Sequence, residues 1–589
     1  MNCFGKKIVI ILCTYLFFSS ALFSQTDLLK EKQDYAVIYG LYKDGLYDLA
    51  YEEINKFLEK YPNSQNTSDA VFIKAECLFK QDKFKEAINE YNEFIIKYPS
   101  SPLTDDAAFR IGESFYKNKQ FNEAISAFKK VIDKYPESEL SGESAYWIGE
   151  SYLKISEYDE AIKYYRLSAE NYPTNRLANY AFYSIGWVYQ KQNKYEKAIE
   201  SYQEYLQKFP SDELTQAAKV RVGECYFYMK NYEKTISELS EIRNDVTDSV
   251  ALSNISFLIA ESFYNLKKYD EAEKEYKYYI STFPNQEHFR ESKYSLGWVY
   301  LNQKKYNEAI ITFDEISNGS DDLSQSALLR KGLASKLSGN VSSAKKIFQS
   351  LINKFPEGSY TDNAYFELGI IEYEEKNYKG AKNNFEELIK KFPKSDVLYD
   401  AYRMLGETNI ALQDFEEGVK VFSKLLSFDN LPDNLKYEGN YNLAWCYLKS
   451  KKYSDAVKQF RRFLELYPKG SLTEDATFWL SESEFLAGDF KSSIQNYSKF
   501  LNTYKNSKKT QEALYGLAWS YFKANEFSYA AQTFEEYTEK YPNSNYTYDS
   551  YLRLAECYYN LKNYEKAAGI YRLLIRQYRN NKNTDFAYY

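Results

Sequence analysis

Histidine, the side chain that most readily transfers protons near neutral pH and the commonest metal ligand, occurs once in this sequence, as His288. One histidine supplies neither a histidine-rich metal site nor a pair for proton transfer. The chain also has no glycine-rich phosphate loop, no CxxC and no HExxH sequence. We therefore predict no metal site and no cofactor. His288 lies in the polar stretch 284–288, between helices, and is expected to be a solvated loop residue.

Carboxylates could provide acid and base chemistry, since the chain has 83 acidic and 76 basic residues and a formal charge of -7. The glutamates that stand out recur as equivalent copies along the chain, whereas a catalytic group is a single, specially placed residue. We predict that the protein is not an enzyme. Both signs of charge are interleaved, without a basic stripe to neutralise phosphates, so nucleic acid is not an expected partner.

These side chains are positioned by a repeated unit, and the prolines reveal its length. Successive gaps of 37 residues separate Pro62, Pro99, Pro136, Pro173 and Pro210. Two later gaps, 210 to 284 and 468 to 542, are 74 residues, which is twice 37. A regular period of this length predicts a stack of one repeated unit rather than several unrelated domains.

Each unit reads as two helices followed by a proline. In the unit that ends at Pro393, apolar residues recur every three or four positions, as an amphipathic helix requires. The polar stretch 374–377 separates two such runs and marks a turn. The sequence therefore predicts an all-α chain of helix-turn-helix units.

One small residue in the first helix of every unit serves as position 0 of the repeat. A second small residue follows at +12 on the second helix, and an aromatic residue usually stands three positions before it, as Tyr378 stands before Ala381. Small residues at fixed positions let two helices approach to about 8 Å. Position 0 is occupied by Ala75, Gly112, Gly149, Gly186, Gly223, Ala260, Gly297, Gly332, Gly369, Gly406, Ala444, Ser481, Ala518 and Ala555.

A small residue at 0, an aromatic residue at about +3, a small residue at +12 and proline at +24 together resemble the tetratricopeptide repeat. That resemblance covers residues 27 to 578 and implies a right-handed superhelical solenoid of about fifteen units. The 37-residue spacing and the Tyr-Pro-x-Ser phrases look like tetratricopeptide proteins of the bacterial envelope, of the outer-membrane-protein assembly and Tol-Pal accessory types. We expect one continuous array over 25–589, with irregular units near 318–332 and 427–444.

Residues 1–24 differ from the rest of the chain. Lys6 and Lys7 precede a mainly apolar run from Ile8 to Phe23 that is closed by Ser24, as in a secretory signal peptide, and 16 residues are few for a membrane span. We predict cleavage near Ser24, export, no membrane span in the mature chain, and a periplasmic location or association with the periplasmic face of the outer membrane. A lipid anchor is the alternative, but Cys13 follows Ile-Ile-Leu rather than a small residue.

Four cysteines remain after residue 24, and all occupy position +2, where other units carry serine, valine or alanine. Their shared position predicts small buried side chains, and helix-stacking distances place them too far apart for disulfides. We expect free, buried thiols at Cys77, Cys225, Cys446 and Cys557.

Position +1 lies about 150° around the first helix from the centre of its core-facing arc, so a hydrated face is expected there. By resemblance to the tetratricopeptide family, positions +1 and -3 line a groove. Glutamate occupies +1 in eight units, among them Glu113, Glu150, Glu224 and Glu261. Tryptophan occupies +1 in four other units, as Trp187, Trp298, Trp445 and Trp519. Position -3 carries tyrosine in several units, including Tyr183, Tyr294, Tyr441 and Tyr515.

An exposed aromatic row bordered by carboxylates is a surface that can anchor partners, although these rings could instead pack on neighbouring helices. We expect a non-catalytic scaffold that binds proteins of the cell envelope, with a basic or neutral peptide in an acidic, aromatic groove. The alternative is a glycan-binding module that stacks peptidoglycan sugars on the tryptophans. The chain end at 585–589 lacks an obvious polar cap, which favours self-association through that end.

Overall fold

The computed structural model describes residues 28–578, which fold into α-helices and one π-helical turn and contain no strand. The predicted signal peptide and the C-terminal segment 585–589 lie outside these residues. The all-α prediction is confirmed. The chain divides into two compact units, Met1–Val299 and Tyr300–Tyr589, and the division falls within one helix.

In the N-terminal unit, helices of about fourteen residues follow one another with short turns. Their bounds are α1 (28–43), α2 (Tyr47–Lys60), α3 (Thr67–Lys80), α4 (Phe84–Lys97), α5 (Thr104–Lys117), α6 (Phe121–Lys134), α7 (Leu140–Lys154), α8 (Tyr158–Arg166) with a π-helical turn at Leu167–Asn171, α9 (Ala178–Lys191), α10 (Tyr195–Lys208), α11 (Thr215–Tyr228), α12 (Tyr232–Ile242), α13 (Ser249–Asn265), α14 (Tyr269–Thr282) and α15 (Phe289–Asn302).

The C-terminal unit continues the same alternation. Its helices are α16 (Tyr306–Asp314), α17 (Asp322–Leu337), α18 (Val341–Lys354), α19 (Thr361–Glu374), α20 (Tyr378–Lys391), α21 (Leu398–Ala411), α22 (Phe415–Leu425), α23 (Asp433–Lys449), α24 (Tyr453–Leu466), α25 (Thr473–Leu486), α26 (Phe490–Thr503), α27 (Thr510–Lys523), α28 (Phe527–Lys540), α29 (Thr547–Asn560) and α30 (Tyr564–Gln577).

Odd-numbered helices are the first helices of the repeats and even-numbered helices are the second, so the described residues hold fifteen pairs. From α2 to α14 and from α16 to α30, each helix packs against the next in sequence. First helices of successive repeats also touch directly, as α5 touches α7 and α25 touches α27. The first helices therefore form one face of the stack in each unit.

The small residue at position 0 makes room for a side chain at +16 on the second helix. A Cβ added at Gly112 would lie 2.6 Å from the Phe128 ring, and one at Gly369 would lie 2.5 Å from the Phe385 ring. Both rings are fully buried, as is the alanine at +12 in most repeats. The close approach predicted from small residues is present, and the ring at +16 fills it.

The turn inside each helix pair is held by one residue with a left-handed backbone at position +7. Glycine takes this conformation at Gly339 and Gly488, both with φ of 83°. Most other repeats carry a lysine there, such as Lys267 and Lys376, with φ of 60° and 63°. The residue at +7 therefore adopts the left-handed conformation in these repeats whether it is glycine, which favours that conformation, or lysine, which does not.

Prolines follow the C-cap of many second helices, as Pro62 follows Tyr61. In the two regions predicted to be irregular, α16 and α22 are short, while α17 and α23 are 16 and 17 residues long. A third irregular repeat, with α12 of 11 residues and α13 of 17, was missed because its period stays at 37. It falls where the proline spacing doubles between 210 and 284.

The four cysteines are free and buried, as expected. Burial raises the pKa of each thiol to about 12, with the neighbouring Glu76 contributing at Cys77. These thiols act as small apolar side chains; for example, Cys446 Sγ lies against Gly418.

Candidate partner-binding face

The expectation that position +1 is hydrated requires correction. All the side chains in this position are half-buried, except Glu76, which is 4% exposed. A helical wheel contains no neighbouring repeat, whereas in the structure the first helix of the next repeat also covers this side of the helix. Glu76 accepts a hydrogen bond from Tyr42 of the preceding repeat at 3.0 Å and pairs with Arg110 of the following one at 2.9 Å.

Half of the +1 glutamates accept a hydrogen bond from a buried tyrosine at +16 of the same repeat. Tyr165 donates to Glu150 at 2.7 Å, and Tyr276 donates to Glu261 at 2.6 Å. The pairs that share this contact are Glu76–Tyr91, Glu150–Tyr165, Glu261–Tyr276 and Glu482–Tyr497. Burial, together with the nearby carboxylate, raises the pKa of all four tyrosines well above 10.

The other four +1 glutamates pair with an arginine one turn earlier on the same helix. Arg110 contacts Glu113 at 2.5 Å, and Arg221 contacts Glu224 at 2.7 Å. The same pairing joins Arg403 to Glu407 and Arg553 to Glu556. All four glutamates proposed as partner-binding, Glu113, Glu150, Glu224 and Glu261, therefore make internal contacts.

The tyrosines at -3 are half-buried and pack on the second helix of their own repeat. The ring of Tyr183 lies 5.5 Å from Tyr202, and that of Tyr441 lies 5.7 Å from Phe463. Tyr294 is also half-buried. Burial raises the pKa of the Tyr441 and Tyr515 hydroxyls, with Asp475 and Asp549 as the nearest acidic contributors. These rings support the helix pair and present only part of their surface to the first-helix face.

The four tryptophans at +1 are half-buried, and three of them carry a lysine over the ring from one turn later. Lys191 lies 4.9 Å from the Trp187 ring centroid, and Lys449 lies 4.4 Å from that of Trp445. Lys523 lies 5.5 Å from the Trp519 ring. Trp298 is half-buried as well.

A cavity of about 650 Å³ opens in the first-helix face between α25 and α27. It includes two of the proposed site residues, Tyr515 and Trp519. The complete lining is Phe478, Trp479, Glu482, Phe485, Lys509, Glu512, Tyr515, Gly516, Trp519, Lys523 and Tyr546. Its size lies within the range of about 300–1,000 Å³ that is common for ligand pockets.

Aromatic contacts hold the cavity walls in place. Trp479 packs edge-on against Trp445 at 4.7 Å, and Tyr546 stacks on Tyr515 at 4.6 Å. The Tyr515 hydroxyl donates to Asp549 at 2.7 Å. Lys509 lies 4.9 Å from the Trp479 ring, which places a cation at the cavity wall.

Gly516 keeps the cavity open. Arginine, tryptophan or another large residue occupies its position, -2, in several other repeats. A Cβ at Gly516 would lie 2.5 Å from Cζ of Tyr497, whose hydroxyl donates to Glu482. The glycine therefore seats the Tyr497 ring and leaves the space above it unfilled.

Sequence reasoning identified Tyr515 and Trp519 but missed Trp479, Lys509, Lys523 and Tyr546. Trp479 stands at -2, outside the two positions that were considered. A lysine recurs four residues after Trp187, Trp445 and Trp519, and this spacing in the sequence is the pattern that indicates a lysine next to each ring.

Two further expectations concern metals and membranes. Within residues 28–578 no cluster of His, Cys, Asp or Glu could hold a metal ion, and no helix is long and apolar enough to cross a membrane. His288 is not a fully solvated loop residue, because its ring stacks on Phe257 at 4.2 Å.

The fold and this face define the class of the protein: a helical-repeat protein with a cavity between two successive first helices, α25 and α27. Family models described as tetratricopeptide repeat match residues 106–138, 512–544 and 549–581, 140–211, and 257–322. The chain is a tetratricopeptide-repeat protein, a family of protein-interaction scaffolds. The YfiO family model, described as outer membrane lipoprotein, matches residues 21–114, 321–420 and 435–526, which fits a cell-envelope location.

Solved structures with similar repeats share little sequence with this chain. A tetratricopeptide repeat protein from Parabacteroides merdae is 17% identical, with a TM-score of 0.30, and the match covers 52% of this chain and 98% of that one. The Naa15/Naa10 complex bound to HypK is 13% identical, with a TM-score of 0.28 and coverage of 92% and 99%. The Cut9-Hcn1 structure is 13% identical, with a TM-score of 0.28 and coverage of 77% and 96%. No curated protein matches this chain.

Proposed function

We propose that this protein is an exported, non-catalytic scaffold of the bacterial cell envelope that binds protein partners on its first-helix face. The cavity between Trp479 and Trp519 carries this proposal. Interface hot spots are enriched in aromatic residues and arginine that fill well-packed pockets, and a half-buried aromatic cavity offers such a pocket to a partner side chain. The predicted signal peptide and the outer membrane lipoprotein match support the envelope location.

A glycan ligand is less well supported than a protein ligand. Sugar recognition by tryptophan requires an open ring face, but cations lie over three of the four proposed rings. Arg553 lies 4.9 Å from the Trp519 ring centroid in addition to Lys523. Cation–π contacts of this kind stabilise the rings by about 0.5–1 kcal/mol at exposed sites and would have to be displaced by a stacking sugar.

A photocrosslinking experiment in intact cell envelopes tests the proposal. A benzoylphenylalanine replaces Tyr546, which is 40% exposed at the cavity, and in a separate protein it replaces Tyr529, which is 58% exposed on the second-helix side. We expect a defined protein adduct from position 546 only. Adding Trp479→Ala and Trp519→Ala should abolish that adduct.

Three results would contradict this function: equal adducts at 529, an adduct that persists without the two tryptophans, or adducts to glycan alone. Circular dichroism of the double variant provides the control, because lost crosslinking counts only if the helices remain folded.

A further inference from the structure

Tryptophan and lysine form a recurring pair on the first-helix face. In Trp187–Lys191, Trp445–Lys449 and Trp519–Lys523 the lysine stands four residues after the ring and lies 4.4 to 5.5 Å from its centroid. Residues four apart on a helix are neighbours, so the pair is a property of one helix and is repeated in both compact units. Each pair presents an aromatic ring together with the cation that lies over it.

In the part of the chain that the structure describes, the lysines of these pairs form no salt bridge, whereas the +1 glutamates of the same face are engaged by tyrosine or arginine. Lys191, Lys449 and Lys523 are exposed and, within the described residues, contact no carboxylate. The glutamates at +1 instead accept bonds from buried tyrosines or pair with arginine, as Glu482 and Glu556 do. The face therefore offers positive charge beside its tryptophans, the reverse of the acidic groove expected from residue types.

The charged residues that line the cavity follow the same pattern, with lysines that remain accessible and a +1 glutamate that is engaged. Lys509 and Lys523 line it, and two carboxylates, Glu482 and Glu512, line it as well. Glu482 is held by the Tyr497 hydroxyl, and Lys509 is only partly compensated, by Asp475 at 3.5 Å. Glu512 is exposed and is the carboxylate that would oppose an acidic ligand.

We propose, on the basis of the function argued above, that the cavity binds a peptide segment with an aromatic side chain flanked by acidic residues. The aromatic side chain enters between Trp479 and Trp519, and the flanking carboxylates meet Lys523 and Lys509. A volume of about 650 Å³ accommodates one large ring and part of the adjoining backbone. Charge complementarity then selects acidic over basic flanks.

Titration calorimetry of the full-length protein with blocked tripeptides tests this. The probes are acetyl-Glu-Phe-Glu-amide, acetyl-Lys-Phe-Lys-amide and acetyl-Glu-Ala-Glu-amide. We expect the first to bind at least about fivefold more tightly than either of the others, since each exposed charge pair contributes about 0.2–1 kcal/mol. Raising the salt concentration should weaken binding of the acidic peptide more than binding of the other two.

Substitutions locate the effect. Lys523→Gln should lower the affinity for the acidic peptide about threefold, and Glu512→Gln should raise it. Lys540→Gln on the second-helix side should leave the affinity unchanged. The proposal is overturned if the basic peptide binds equally well, if alanine replaces phenylalanine without loss, or if none of the probes binds at millimolar concentration. A protein adduct at position 546 would then still support the scaffold function, so the two failures are distinguishable.

Discussion

In most repeats the residue type at +1 depends on whether the residue at +16 carries a hydroxyl. Where +16 is tyrosine, +1 is usually a glutamate that accepts its hydroxyl; where +16 is phenylalanine, +1 is tryptophan, leucine, isoleucine or an arginine-paired glutamate. Tyr202 opposite Trp187 donates to Gln190 instead, at 3.1 Å. These glutamates consequently satisfy buried hydroxyls, since an unpaired buried polar group costs about 1–3 kcal/mol.

Tyr276→Phe tests this matching. The change removes the hydroxyl that donates to Glu261, so that Ser295 becomes the remaining hydrogen-bond donor to this half-buried carboxylate. The free energy of unfolding measured by urea titration should therefore fall by about 1–2 kcal/mol. Adding Glu261→Leu recreates the pairing of Leu333 with Phe348 and should restore part of the loss. Strictly additive losses in the double variant would show that the two positions are not coupled.

At the scale of elements, the helix pair depends on a turn whose residue is left-handed at +7. A non-glycine residue is strained by about 1–2 kcal/mol in this conformation, and lysine nevertheless occupies it in many repeats. The strain is tolerated because the packing of the two helices determines the turn.

Lys376→Gly should therefore stabilise the protein. Relief of the strain at φ of 63° exceeds the entropy cost of glycine, and we expect a gain of about 0.5–1 kcal/mol in chemical denaturation. The matched control is Lys346→Gly inside α18, an exposed helical site that should lose about 1 kcal/mol. Gly488→Ala should also be destabilising, and a neutral outcome there would refute the strain argument.

At the scale of the whole molecule, the core consists of a series of clusters that each span a few neighbouring helices. Stability in such arrays is approximately a sum over repeats and their interfaces. Buried tyrosines recur through both compact units, as Tyr91, Tyr165, Tyr276 and Tyr497 do, so their ionisation affects many repeats at once.

Stability should fall steeply in alkali. Burial raises the pKa of these tyrosines well above 10 and that of the four thiols to about 12, from usual values of 10 and 9. The unfolded chain loses these protons first, so stability is complete below about pH 9 and is lost as the pH rises through the folded values. Urea midpoints at pH 8, 10 and 11, with tyrosinate absorbance recorded in parallel, measure this loss. Unchanged midpoints with tyrosinate present in the folded protein would contradict it.

Much of the architecture was readable from the sequence alone. The period, the helix pairs and the buried thiols follow from positions that recur from repeat to repeat, such as position 0 at Gly369 and +2 at Cys446. Helical periodicity and small-residue spacing are local properties, so they are visible without coordinates.

The tertiary structure decided which side chains remain free. Glu76 meets Tyr42 and Arg110 only because adjacent first helices touch, and the cavity lies where Gly516 seats the Tyr497 ring. These partners stand 19 to 34 residues apart, and a helical wheel for a single helix contains no distance between repeats. The sequence alone therefore determined the repeat and its core, while contacts between helices determined that four of the eight +1 glutamates accept hydrogen bonds from buried tyrosines.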